Sequence, residues 1–146
     1  MSVHRETAEA EIRQRFSALV EGIGGKDLDS LKRLYVSEMV SFDLEAPLQH
    51  SGLDAKLRNW ETVFAAFADI DYEIRDLTLT VGDEVAFGYC FGRLSGTLKN
   101  GVRTSGMWVR GTFCFRRIDG NWLIEHDHVS VPLDMRSGRA VTDLAP

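Results

Sequence analysis

Basic residues are in the minority in this chain, with 17 Lys and Arg against 22 Asp and Glu and a formal net charge of −5. A nucleic-acid surface needs clustered cations to displace phosphate counterions, so no nucleic-acid partner is expected. Cysteine is equally sparse. Cys90 and Cys114 are the two present, each inside an apolar strand-like run, which predicts packed free thiols rather than a disulfide framework or a reactive pair. No stretch approaches the roughly 20 apolar residues of a membrane span, and the opening MSVHRETAEAE is charged where a secretory leader is apolar. A soluble cytoplasmic protein without membrane contact is the expectation. Nucleotide loop, zinc cluster and nucleophile elbow are all missing, so neither a cofactor nor a bound metal is expected. Without repeats, low-complexity tracts or linkers, 146 residues of which 44% are hydrophobic suit one domain over residues 1–146.

What is present falls into two halves. Ala8, Ile12, Phe16, Leu19, Val20 and Ile23 share one helical face, and Gly24-Gly25 stops the segment, so residues 4–23 read as an amphipathic helix. Asp27 is positioned as an N-cap for a second helix that carries Leu28, Leu31, Leu34 and Tyr35, followed by a short strand in MVSFDLEAP. Ser51 with Asp54 resembles a capping box, and Leu57, Trp60, Phe64 and Phe67 then recur at three and four residues, predicting a third helix over 53–67. Beyond it the period changes to two. Tyr72 and Ile74 are out of phase with Leu77, Leu79 and Val81, which predicts a bulge near Arg75-Asp76. In the next strand Val85, Phe87, Tyr89 and Phe91 alternate with Ala86, Gly88, Cys90 and Gly92, a bulky face against a small one that suits a bent sheet or close packing. Asn100-Gly101 and Asp119-Gly120 mark hairpin turns around a long strand from 102 to 117, and a last strand runs from Trp122 to about Val131. The tail from Asp134 reads as loose. Helices first and four antiparallel strands afterwards give an α+β class with helices on one face of a sheet.

This order of elements, the VSFD of residues 40–43 and the ending DGNWLIEHDHVSVP at 119–132 resemble the nuclear-transport-factor-two-like superfamily. Its members include ketosteroid isomerase, SnoaL-like polyketide cyclases and the association domain of calmodulin-dependent kinase. The resemblance covers nearly the whole chain. It implies a cone-shaped, curved antiparallel sheet with three N-terminal helices enclosing a pocket for a small-molecule ligand, and a homodimer formed through the outer sheet face.

It also singles out residues. Asp43 stands where the isomerases carry the base that moves a proton beside a carbonyl, and a carboxylate in an apolar hollow should have a raised pKa. The plainer alternative is an Asp that caps a turn. On the last strand, strict alternation puts Glu125 and Asp127 with Leu123 and Val129 on one face, and Trp122, Ile124, His126, His128 and Ser130 on the other. Polarity does not choose between these faces; the isomerase resemblance favours the set containing Asp127, near Asp43, as a pair whose pKa values would be pushed apart. His126 and His128 have a spacing that metal sites use, but a third ligand could come only from His50 or Asp43, so backbone or dimer bonding or proton transfer is expected instead. Arg93 and Arg110, within strands, should reach solvent or a carboxylate, with Arg110 also able to meet a ligand. The expected ligand contacts are Phe16, Tyr35, Trp60, Phe64, Tyr89, Trp108, Arg110 and Phe113, with Asp43, Asp127, His126 and His128 as the proton-transfer candidates.

Steroid isomerases hold the developing oxyanion with a Tyr and a protonated acid, whereas this chain has Phe16 and Leu19 in the corresponding helix and no acid between 106 and 118. Each missing donor would remove about 3 to 4 kcal/mol of transition-state stabilisation. Steroid isomerase activity is therefore not expected. A small-molecule-binding domain with an apolar, carboxylate-containing pocket leads, ahead of a cofactor-independent isomerase, cyclase or dehydratase and of a purely structural assembly module.

Overall fold

The first helix, α1 (Val3–Gly24), buries Ile12, Phe16, Leu19 and Ile23 against the sheet while its charged residues face outward, as the helical spacing requires. A computed structural model describes residues 3–146. After α1 the Asp27 carboxylate accepts the Ser30 N–H and caps a helix of only five residues, α2 (Leu28–Lys32). Tyr35, read above as the end of that helix, instead opens β1 (Tyr35–Phe42). A two-residue strand, β2 (His50–Ser51), pairs with β1 and leads into α3 (Leu53–Ala66). The capping box is absent, because Gly52 occupies the N-cap with φ of 89° and no side chain caps the helix.

The sheet is built from β1, β2, β3 (Phe67–Val81), β4 (Val85–Leu98), β5 (Arg103–Thr104), β6 (Trp108–Ile118) and β7 (Asn121–Ser130). Its order is β2-β1-β7-β6-β4-β3, with β5 added on β4. All pairs are antiparallel except β1 with β7, which run parallel. The long strand expected from 102 is thus two pieces. Gly106, at φ of 70°, lies so close to the Leu94 carbonyl that any Cβ would collide with it, and the chain leaves the ladder there. The tail is more ordered than its composition suggests, since β8 (Leu133–Asp134) and β9 (Arg139–Ala140) form a small hairpin.

Two bulges decide which side chains face the helices. In β3 the register slips between Arg75 and Thr78, with Asp76 at φ of 59°, so Tyr72 and Ile74 share the inner face with Leu77, Leu79 and Val81 as the phase change predicts. In β7 the register slips between Ile124 and His126, opposite Phe115 and Cys114. That bulge overturns strict alternation. Trp122 and Ile124 are buried in the core on the same side as Asp127, while Glu125 turns outward to pair with Arg116 at 2.8 Å.

The small face of β4 also has a reason. A Cβ on Gly88 would lie 2.6 Å from Leu79 Cδ2, and one on Gly92 would lie 2.3 Å from Tyr72 Oη. Glycine at both positions lets the neighbouring strand's side chains fold over β4, and the bulky Phe87, Tyr89 and Phe91 go to the outer face. Among the described residues, no helix is long and apolar enough to cross a membrane.

Candidate functional site

Between α1, α3 and the inner face of the sheet lies a cavity of about 410 Å³. Its walls are mostly apolar: Leu19 of α1, Trp60 and Val63 of α3, Phe67 and Leu94 from β3 and β4, and Val109, Phe113 and Val129 from β6 and β7. Met107, in the break after β5, and Leu44, after β1, complete the apolar lining. A second hollow of similar volume opens around the β3–β4 turn between His4, Glu11, Asp83 and Arg117, but lacks a buried charged group among its polar walls.

The polar end of the main cavity is organised around Lys56, a residue the sequence reading passed over. Lys56 lies on α3 in the stripe Leu53, Lys56, Leu57, Trp60, Phe64, a position at which a lysine is ordinarily expected to snorkel out to solvent. Here its side chain is only 5% exposed. Its Nζ lies 3.0 Å from Asp127 Oδ2 and 3.4 Å from Asp43 Oδ2, and donates to Ser41 Oγ at 3.3 Å. The Ser41 hydroxyl in turn donates to Asp127 Oδ1. Asp127 is 1% exposed, and Ser41 is fully buried beside it on the neighbouring strand, where β1 and β7 pair Ser41 with Asp127. Register therefore builds the contact: the parallel pairing and the β7 bulge bring Ser41 and Asp127 side by side on the inner face.

The electrostatics follow from this geometry. Burial opposes the charge on Lys56, yet the Asp127 carboxylate, with that of Asp43, outweighs that penalty and the ammonium is held above its ordinary value. For Asp43, burial pulls upward, but Lys56 and the Leu44 N–H, which donates to Oδ1 at 2.8 Å, leave the carboxyl below its ordinary value. This corrects the raised pKa expected for Asp43: the hollow is apolar, but it supplies a cation. Tyr35 and Tyr72 also line the cavity, and burial pushes both phenols up, so they remain protonated donors. Two buried polar atoms in the lining have no hydrogen-bond partner among the described residues, Trp60 Nε1 and Asp127 Oδ2. The second is not left alone, since it lies 3.0 Å from the Lys56 ammonium as its ion-pair partner.

Of the residues expected at the ligand, Tyr35, Trp60 and Phe113 line the cavity with Asp43 and Asp127. Phe64 stacks on Trp60 at 5.6 Å, and Phe16 packs edge-on against Phe113 at 5.1 Å, so both support the wall from behind. The others lie on the outer face. Tyr89 is 51% exposed there; Trp108 sits under Arg75 and Arg93, whose guanidinium carbons are 4.6 and 4.8 Å from its ring centroid; Arg110 donates to Ser130 at 3.2 Å. Arg93 pairs with Glu73 at 3.0 Å. His126 and His128 also face outward, edge-on to Phe42, and the His126 ring bonds the Val40 carbonyl at 2.7 Å through Nδ1. Their outward direction separates them from the cavity by the thickness of the sheet. His50 holds the loop after β1, its Nε2 donating to the Glu45 carbonyl and its Nδ1 accepting from Asn59. Among the described residues, no three His, Cys, Asp or Glu side chains are grouped as metal ligands. Burial raises the thiol of Cys90 to about 11 and also raises Cys114, and both are unpaired with each other.

Comparison with known proteins agrees with this architecture. A family profile described as the SnoaL-like domain matches residues 12–134. A Pseudomonas putida protein of the nuclear-transport-factor-two-like fold, of unknown function, is 27% identical and covers 97% of this chain and 98% of its own, with a TM-score of 0.86. A Streptomyces avermitilis protein of the same fold, provisionally described as a dehydratase, is 19% identical over 89% of this chain and 99% of its own, at a TM-score of 0.77. The association domain of the Caenorhabditis elegans calcium/calmodulin-dependent kinase is 15% identical, covering 89% of this chain and 100% of its own, at 0.71. No curated protein matches the sequence.

Proposed function

Since this chain belongs to the SnoaL-like domain family, within the nuclear-transport-factor-two-like superfamily, we propose that it is a single-domain small-molecule-binding protein whose ligand occupies the cavity beside Lys56. One observation carries this reading. An otherwise apolar hollow holds a buried Lys56–Asp127–Ser41 group with Asp43 at its margin. Replacing a buried ion pair with well-packed apolar residues is often neutral or stabilising, so stability is a weak reason for this group to be there. A polar end on an apolar cavity of ligand size is what orients a bound molecule.

The second reading is an isomerase, cyclase or dehydratase that needs no cofactor. It is favoured by the Asp127 carboxylate in the cavity lining and by the Streptomyces relative provisionally described as a dehydratase. The lowered pKa of Asp43 argues against it as a base near neutrality, which leaves Asp127 to take the proton. The exposed Phe42, Val85, Phe87 and Tyr89 support a homodimer through the outer sheet face.

The readings separate on one pair of measurements. A library of small apolar alcohols, ketones and amines is expected to raise the melting temperature of the protein, and compounds that do so are then followed for chemical change. Binding without turnover supports a receptor or carrier. Turnover lost in Asp127→Asn with binding retained would establish the enzyme, and a library that stabilises nothing would remove both.

A further inference from the structure

The polar groups around the cavity divide into those already committed within the protein and those that are not. The Lys56 ammonium and the carboxylates of Asp127 and Asp43 satisfy one another at 3.0 and 3.4 Å. Thr62 donates to the Arg58 carbonyl of its own helix, and Asn59 donates to the His50 ring. Trp60 Nε1 has no partner, but it has almost no surface for a ligand to reach.

The phenols of Tyr35 and Tyr72 are different. Both residues line the cavity, and neither hydroxyl makes a hydrogen bond with any other described residue. Neither oxygen is closed off in the way that Trp60 Nε1 is. They reach the cavity from separate strands, Tyr35 at the start of β1 and Tyr72 on β3, where Gly92 of β4 leaves the room that the Tyr72 hydroxyl fills. Burial keeps both protonated, and both sense the charges of Lys56, Asp127 and Asp43, so they stand at the polar end of the hollow. An O–H held in an apolar wall without an acceptor is a costly arrangement, relieved when a ligand supplies one. A carbonyl oxygen, with two lone pairs and no hydrogen, has capacity for both phenols and asks nothing of the carboxylates. A ligand anion would also accept, but it would add to three carboxylates, those of Asp43, Glu45 and Asp127, already set against one lysine.

Resting on the cavity reading above, we infer that Tyr35 and Tyr72 are the hydrogen-bond donors of the binding site and that the group they receive is the carbonyl oxygen of an uncharged, mostly apolar molecule. The apolar walls hold the body of the ligand, and the two phenols fix which end of it points toward Lys56.

The test uses pairs of fragments that differ only in the carbonyl, tetralone with tetralin and indanone with indane, their dissociation constants measured by NMR titration on the whole protein. The wild-type protein is expected to bind each ketone at least as tightly as its hydrocarbon. In Tyr35→Phe and Tyr72→Phe the ketones should weaken about tenfold while the hydrocarbons keep their affinity, and the double variant should weaken them further. Because neither hydroxyl has a protein partner to lose, the melting temperature of each variant without ligand should stay the same or rise. The carbonyl stretch of the bound ketone, lowered by hydrogen bonding, should move back up in the variants. A double variant that keeps the wild-type ratio of ketone to hydrocarbon affinity would overturn this inference and leave the cavity reading standing. Variants that melt well below wild type would overturn it too, by showing that the hydroxyls serve the fold. If neither ketones nor hydrocarbons bind, both readings fall.

Discussion

At Lys56 the decisive quantity is the balance between desolvation and pairing. An ammonium that is 5% exposed could not remain charged alone, and it does so because Asp127 and Asp43 stand at 3.0 and 3.4 Å. Lys56→Met should therefore destabilise the fold by about 3 to 5 kcal/mol near neutral pH, by leaving buried carboxylates unpaired. Chemical denaturation would show it, with the deficit shrinking as acid protonates those carboxylates, and Lys56→Met combined with Asp127→Leu should recover much of the loss. The pH dependence has two limbs. Asp43 titrates below its ordinary 3.8 in the folded state, so its contribution is present above 3.8 and is lost as pH falls through the lower folded value. Lys56 titrates above its ordinary 10.5, so its contribution is complete below 10.5 and is lost as pH rises through the higher folded value. Stability measured against pH should accordingly keep this contribution between these limits, and Asp43→Asn should flatten the acid limb.

The elements matter through where they depart from regularity. A straight β7 would have put Trp122 and Ile124 on the face opposite Asp127; the slip between Ile124 and His126 lets the core and the cavity share one side of the same strand. In β4, glycine is what admits Tyr72. Gly92→Ala would place a methyl group 2.3 Å from Tyr72 Oη and 2.9 Å from its Cζ, so the ring must leave its place in the cavity wall. The expected result is a loss of about 1 to 3 kcal/mol of stability from overpacking, together with weaker binding of any fragment the wild-type protein accepts. Thermal melting and calorimetry on the same preparation would check both, and unchanged binding would mean that Tyr72 does not shape the site.

For the whole molecule, the outer sheet face is the remaining feature to explain. Phe87 and Tyr89 are 43% and 51% exposed on a strand whose other face is small and buried. If that face joins two copies, Tyr89→Glu should shift a dimer to monomer in sedimentation while the fragment affinities of the cavity, on the opposite side of the sheet, remain; a wild-type protein that sediments as a monomer would end the dimer reading. The sequence by itself determined the α+β order, the buried face of α1, the bulge at Arg75-Asp76 and the proximity of Asp43 to Asp127, because periodicity and turn chemistry are local and the resemblance supplied the topology. Only the tertiary structure decided that Lys56 turns inward, that Tyr89, Trp108, Arg110 and the two histidines face outward, and that Asp43 is a weak rather than a strengthened base. The physical reason is common to all three. Which way a polar side chain faces, and what charge it keeps there, depends on strand register and on neighbours from distant segments, and the 86-residue separation of Ser41 from Asp127 leaves no local pattern to read.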